Sequence, residues 1–291
     1  MDTSGSPGIY RVVKFPPERN ATLDTLRWAR KRLQVPSLIE VDVTDARRAI
    51  REYRNRTGKS LSLTAWVVAC TARAALEHPG VHALRRGRHR IVLFHEVDVA
   101  VLVERSIDRD DGSQTLPMPM VVRNAHVKRP SEIHEEIRGA REAEVERGSS
   151  SLENTVSPKL QSLFFRTPWW LRDLVFWRWL LRSPLRMKKT MGTVVVTSTG
   201  MAVPGVLAWG IPLSLHPLAI GVGGIARRKW EGESREILAL TVVFDHAVTD
   251  GAPVGRFIQR LHELLTQGKG VSEMEGSQPR DSASNLPREK G

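Results

Sequence analysis

A single cysteine, Cys70, stands among 291 residues, which excludes an intramolecular disulfide. Its setting, Ala65-Trp-Val-Val-Ala-Cys70, suits a buried structural thiol rather than a nucleophile. No Cys/His cluster has metal-ligand spacing, so no metal is expected. The chain does not open on a charged segment followed by an apolar one, so no signal peptide is read and a cytoplasmic location is expected. No segment repeats. The glycines Gly221, Gly223 and Gly224 are followed by no helical pattern, which removes them as a phosphate-binding fingerprint. Acid is in short supply, with 32 Asp and Glu against 44 Lys and Arg, a net +12. That surplus draws polyanions such as nucleic acid, anionic lipid or coenzyme A. No nucleic-acid-binding module accompanies it, so a nucleic-acid partner is not expected.

What is present describes one globular unit. Hydrophobic residues make up 41% and charged residues 26%, ordinary values for a chain that buries a core. The reading is a flexible arm at 1–16, a folded domain at 17–268 and a disordered tail at 269–291, the ends being rich in Gly, Ser, Pro and charge. Alternation predicts strands at 37–43, 90–94, 97–103, 118–123, 192–197, 218–222 and 237–244. Helical patterns are read at 45–57, 62–78, 130–148 and 251–267, the second apolar nearly all round and so buried. A turn-rich stretch lies at 108–112. Strands and helices intermix without strict alternation, which indicates an α+β, mixed-sheet architecture.

The segment with most chemistry is Phe244-Asp-His-Ala-Val-Thr-Asp-Gly251. An apolar strand delivers His246 at its end, and Asp250-Gly251 follows where the last helix begins. Histidine titrates near neutrality and is the usual general base there. His246 ending a strand and Asp250 capping a helix account for the same residues without chemistry, and the local pattern alone leaves both readings open.

The pattern Asp245-His246-x-x-x-Asp250-Gly251 resembles the DHRxxDG signature of the dihydrolipoyl acyltransferases of 2-oxo acid dehydrogenase complexes. Chloramphenicol acetyltransferases share its HxxxDG part. Gly192-Thr-Val-Val-Val-Thr-Ser-Thr-Gly200 is similar to the family's GTFTISNLG strand, with Thr197 placed 49 residues before His246. Leu218-Ala-Ile-Gly-Val-Gly-Gly-Ile225 resembles VAILGVGRI, His78-Pro-Gly-Val-His-Ala83 the HPxxNA turn, and Val121-Val-Arg-Asn-Ala125 the PVIRNA stretch. Ile39-Glu-Val-Asp-Val43 is similar to the family's early strand. The likeness runs in order over about residues 30–268.

The resemblance implies a chloramphenicol acetyltransferase-like mixed β-sheet sandwich with flanking helices. It implies an acyltransferase using coenzyme A or acyl-coenzyme A as substrate, with His246 deprotonating a thiol and a hydroxyl steadying the oxyanion. Alignment gives that hydroxyl to Thr197. Ser198 replaces it if the register slips by one. Asp250 is expected to be structural, paired with an arginine. Ser198, His216 and Gly251 are read on the substrate or coenzyme A side, His216 as a loop histidine with a structural reading beside it. The resemblance also implies a homotrimer whose active site lies between subunits.

The chain departs from the family at Ala247, where the signature has arginine, and at Thr197, where it has serine. No lipoyl-type hairpin is visible and only about 35 residues precede the core, so any lipoyl group is expected to arrive on another protein. The polar stretch after Leu265 argues against the apolar contacts that join trimers into cages. A helical insertion is read at 158–190. Its core, Leu163 to Arg182, holds four of the eight tryptophans, and residues 159–189 carry eight basic residues against Asp173, a net +7. Arg166, Arg172, Asp173 and Arg178 interrupt it too often for a bilayer span. Three readings stay open: packing on its own trimer with snorkelling arginines, an interfacial membrane helix, or a protein or acyl-chain site. A non-catalytic trimeric scaffold that recruits a partner or membrane at 163–182 is the competing functional expectation. Peptide-forming condensation domains share the fold, but residue 245 is Asp rather than His and the chain is too short for their two lobes.

Overall fold

The computed structural model describes residues 8–12, 15, 17, 19–107, 114–145, 164, 166–198, 204–267 and 271, with backbone alone at 104–107, 114–118 and 143–145. The turn-rich stretch at 108–112, most of the arm and tail, and 158–163 lie outside them.

Six strands pair into one mixed sheet, the central ones buried on both faces over continuous apolar runs. Its strands are β1 (Gln34–Asp42), β4 (Val99–Ile107), β5 (Gln114–Val122), β6 (Val194–Ser198), β7 (Leu218–Trp230) and β8 (Glu233–Asp245). The spatial order is β1-β8-β7-β6-β4-β5. β6 runs parallel to β4 and β7, and the other pairs are antiparallel. A small hairpin, β2 (Leu84–Arg86) and β3 (Arg90–Val92), stands apart. Prolines mark both sheet edges, Pro36 in β1 and Pro117 and Pro119 in β5, where the missing N–H does least harm.

The helices are α1 (Arg19–Ala29), α2 (Thr44–Thr57), α3 (Leu63–Glu77), α4 (Pro130–Val145), then α5 (169–181), α6 (Pro184–Met191) and α7 (Gly251–Thr266). α2, α3, α4 and α7 cover one face of the sheet. α3 is the central packing element. Its N-terminus is capped by Ser62, whose Oγ accepts from the Ala65 N–H at 3.2 Å, and Pro79 follows its end. Every residue from Ala65 to Ala72 is buried. The many alanines let the helix lie close to the sheet while Trp66 fills the remaining volume. Phe257, Leu261 and Leu265 of α7 close the same core.

Two strands run longer than their apolar pattern predicts. β7 and β8 extend to Trp230 and Glu233 through the polar residues Arg227-Arg-Lys and Ser234-Arg-Glu. The connection Glu231-Gly232 has φ of 51° and 84°, the two positive values that a tight hairpin needs. The strand read at 90–94 falls on β3, while α1 and β2 were not read, because their short, charged sequences carry little periodicity.

The face away from the helices is crossed by the backbone of 206–212. A Cβ on Gly221 would stand 2.4 Å from the Gly210 carbonyl oxygen, one on Gly223 2.1 Å from that of Ala208, and one on Gly224 1.9 Å from that of Val206. The Gly224 N–H donates to the Ala208 carbonyl at 2.8 Å, and the Trp209 indole donates to the Ile39 carbonyl at 3.2 Å. These glycines therefore make room for a strap of chain.

The insertion is helical and anchored. In α5 a turn of π-helix at Asp173–Trp177 joins two short α-helical turns. Arg172, 3% exposed, grips Asp24 of α1 with Nε at 2.6 Å and Nη2 at 3.1 Å. The Trp28 indole donates to Asp173 at 2.8 Å. Trp177, Leu180 and Met187 join Leu84, Phe94 and Leu215 in a second core. Among the described residues no helix is long and apolar enough to cross a membrane.

Gly224→Ala is expected to cost at least about 1–3 kcal/mol, because the new methyl must displace a backbone carbonyl rather than a side chain. The midpoint of urea unfolding reads this out, and an unchanged midpoint would show the strap to be loosely held.

Candidate active site

The site forms where β8 ends. Asp245 is 2% exposed, and a buried carboxylate needs a cation and donors. Arg32, just before β1, supplies the cation, with Nη1 2.9 Å from Oδ2. The other oxygen accepts the Ala247 N–H at 3.1 Å. The N–H groups of Val248 and Thr249 donate to the Asp245 carbonyl at 3.0 and 3.2 Å, and the His246 N–H donates to the Leu33 carbonyl at 2.8 Å. The turn carrying His246 is thus pinned at each of its peptide groups.

The His246 side chain is about half exposed, and its Nδ1 lies 3.7 Å from Asp250 Oδ1. Its ring makes no hydrogen bond among the described residues and stands 6.0 Å from the Phe244 ring. It is held by backbone, yet chemically free. Asp250 is 85% exposed and starts α7 without capping it through its side chain. The arginine expected on Asp250 is found on Asp245 instead. The acid that ends a strand is buried and must be neutralised, whereas the one that starts a helix is solvated. Gly251 has an ordinary φ and open space around it, so nothing in the chain's own fold demands glycine there.

Thr197 and Ser198 close β6 on opposite faces. Val194 and Val196 face the helix-covered core and Val195 the other side, so alternation gives Thr197 the strap side and Ser198 the helix side. The register places Thr197 opposite Gly221, and Gly221 opposite Thr241. His246 lies five residues beyond Thr241 on β8, in the direction away from the end of β6. At about 3.3 Å per residue and two strand spacings of about 4.8 Å, Thr197 and His246 of one chain lie roughly 20 Å apart. They cannot share a substrate atom within one copy.

His216 is buried and fully engaged. The Ser214 hydroxyl donates to Nδ1 at 2.7 Å, and Nε2–H donates to the Met191 carbonyl at 2.8 Å. Burial holds its pKa down to about 4. It ties the segment before β7 to the end of α6 and has no nitrogen left for a substrate. His82 is likewise buried, 2.9 Å from the Thr193 hydroxyl, with burial lowering its pKa to about 4. Arg32 is the residue missed from the sequence, since nothing local singles it out among 44 basic residues. Two open clefts, of about 420 and 510 Å³, border Arg227 and Glu236 at the outer end of β7 and β8, and include neither His246 nor Thr197. Among the described residues no three His, Cys, Asp or Glu side chains form a metal-holding group.

A mixed sheet with helices on one face and a free histidine on a pinned turn at the end of β8 defines the class, a chloramphenicol acetyltransferase-like fold. The model of the 2-oxoacid dehydrogenases acyltransferase (catalytic domain) family matches residues 8–153 and 187–271, and the chain belongs to that family. A probable dihydrolipoamide acetyltransferase from Listeria monocytogenes 4b F2365 superposes with a TM-score of 0.64 at 19% identity, over 94% of this chain and 100% of that one. Azotobacter vinelandii dihydrolipoamide acetyltransferase gives 0.64 at 17% identity, over 94% and 98%. The dihydrolipoyllysine-residue acetyltransferase component of the Acholeplasma laidlawii pyruvate dehydrogenase complex is 40% identical over 85 residues, 27% of this chain and 15% of that protein's length.

Arg32→Ala is expected to cost about 3–5 kcal/mol by leaving Asp245 buried and unpaired. Adding Asp245→Asn should return a good part of it, and a double-mutant cycle by urea unfolding measures the share. A pH series gives a second expectation. The folded pKa values of His82 and His216, about 4, lie below the ordinary 6.5, so the unfolded chain binds more protons between those values. Stability is complete above pH 6.5 and falls as pH drops toward 4, by up to roughly 1.4 kcal/mol per pH unit for each histidine. A flat profile through that window would mean that both rings stay solvated.

Proposed function

We propose that the chain is an acyltransferase that moves an acyl group between coenzyme A, or a carrier thioester, and a thiol acceptor, with His246 as general base. The observation that carries this reading is the His246 ring, half exposed and unbonded on a turn braced by Asp245 and Arg32, in a chain of this family. His246 takes the proton from the acceptor thiol, whose ordinary pKa near 8.5 keeps it mostly protonated at neutral pH. The thiolate attacks the thioester carbonyl. The tetrahedral oxyanion is steadied by a hydroxyl, assigned to Thr197. Collapse breaks the bond to the first sulfur, and the imidazolium returns its proton to that leaving thiolate. Asp250 faces Nδ1 at 3.7 Å and steadies the imidazolium. In the Azotobacter enzyme a serine, a histidine and an asparagine have been studied for roles in the catalytic mechanism, the latter two four residues apart, the spacing of His246 and Asp250.

The active site is proposed to lie between copies of the chain. The separation of Thr197 and His246 along the sheet supports this, since a neighbour must bring its own His246 to Thr197. A homotrimer closes such a head-to-tail contact into a ring. Any lipoyl acceptor is proposed to come on another protein, and no metal enters the scheme. Ser198 and Gly251 remain proposed substrate-side residues.

Thiol release from a panel of acyl-coenzyme A donors, with dihydrolipoamide as acceptor, tests the reading. His246→Ala should abolish turnover without loss of fold. Thr197→Val should slow it by about 10²–10³. Dissociating and reassembling the two inactive variants together should restore part of the activity, because mixed interfaces then pair an intact histidine with an intact hydroxyl. Activity that survives His246→Ala overturns the mechanism. No turnover from folded wild-type trimers would favour the scaffold alternative, in which the fold serves only to present the insertion.

A further inference from the structure

The helical insertion has two apolar faces. One, with Arg172, Trp177, Leu180 and Met187, is buried against the body. The other leaves Trp169, Trp170, Leu174, Val175, Trp179 and Leu185 between 51% and 64% exposed. Single exposed apolar residues are ordinary, but six large ones in 17 residues make a patch that asks for a partner.

The surroundings are cationic. Arg166, Arg178, Arg182 and Lys189 are exposed along the insertion, as are Arg27 on neighbouring α1 and Arg30 and Lys31 in the turn after it. The Arg27 guanidinium stands 5.4 Å from the Trp169 ring and Arg186 4.7 Å from that of Trp179, so indole and cation present one mixed surface. The acids close by are spent internally, Asp24 on Arg172 and Asp173 on Trp28 and Arg178. The buried Arg172–Asp24 pair holds the helix in place before anything binds, so docking need not order it.

We propose that this face binds an anionic lipid surface, with the tryptophans and leucines entering the headgroup boundary and the arginines meeting lipid phosphates. Charge complementarity selects this occupant. A second copy meeting the same face two-fold would set cation against cation, and a copy meeting it head to tail is told apart by the subunit number in solution. The family model passes from residue 153 to 187, so the insertion is additional to the part of the chain that the family shares. The proposal does not depend on the acyltransferase reading.

Flotation of the full chain with phosphatidylcholine vesicles, and with vesicles containing phosphatidylglycerol, tests it. Binding is expected to the anionic vesicles, weakening as salt rises. Trp170→Ser/Leu174→Ser should weaken it by about tenfold or more, with circular dichroism and subunit number by light scattering unchanged. Arg166→Glu/Arg182→Glu, at exposed positions, should also weaken it and keeps the test decisive if the first variant misfolds. Equal binding to phosphatidylcholine alone, no binding to either, or full binding by a folded variant overturns the proposal. So does a changed subunit number in a folded variant, which would assign the face to a contact between copies.

Discussion

Asp245 is buried at the end of β8, and its carboxylate is neutralised by an arginine 213 residues earlier in the chain. Much of the candidate site hangs on that pair. One carboxylate oxygen takes Arg32 and the other takes the Ala247 N–H, so the charge that anchors β8 also shapes the turn presenting His246. Arg32 touches the Met187 sulfur at 3.8 Å as well, and Met187 belongs to the core beneath the insertion. The turn that carries His246 and the helices of the insertion thus share one foundation. The ion pair is costly to bury and costly to break, which suits a position where orientation matters more than net stability.

The sheet imposes the second constraint. β6 and β8 run in opposite senses with β7 between them, so residues at their C-terminal ends lie at opposite ends of the sheet. Thr197 and His246 are such residues. No side-chain rotamer spans roughly 20 Å, the separation that strand rise and spacing give. A chemistry that needs both groups makes assembly part of the active site rather than an addition to it. The strap over Gly221, Gly223 and Gly224 fits this picture. It covers the face of β7 onto which Thr197 looks, at contact distances that tolerate no side chain.

The insertion has a different logic. Its inner face packs like an ordinary core helix, and its outer face keeps indoles and guanidiniums in one surface. The buried Arg172–Asp24 pair ties it to α1, which itself contributes Arg27 to the outer surface. Anchor and surface are therefore built by the same two elements. The apolar residues fall on both sides of α5, which is why its sequence shows no tidy stripe.

Long elements with clear periodicity were legible from the residues alone. The buried helix read at 62–78 is α3 at 63–77, and the amphipathic one read at 251–267 is α7 at 251–266. The strands read at 192–197 and 237–244 fall on β6 and β8. The histidine at the end of a strand, four residues ahead of Asp-Gly, was legible for the same reason. Such patterns are local, and local backbone geometry produces them. Tertiary structure decided the rest. It gave Arg32 to Asp245 and left Asp250 in solvent. It enclosed His216 with both nitrogens bonded, turned three glycines of β7 into a passage for the strap, and set Thr197 far from its own His246. Each of these depends on which distant residues come to face one another, and periodicity along a chain carries no information about that.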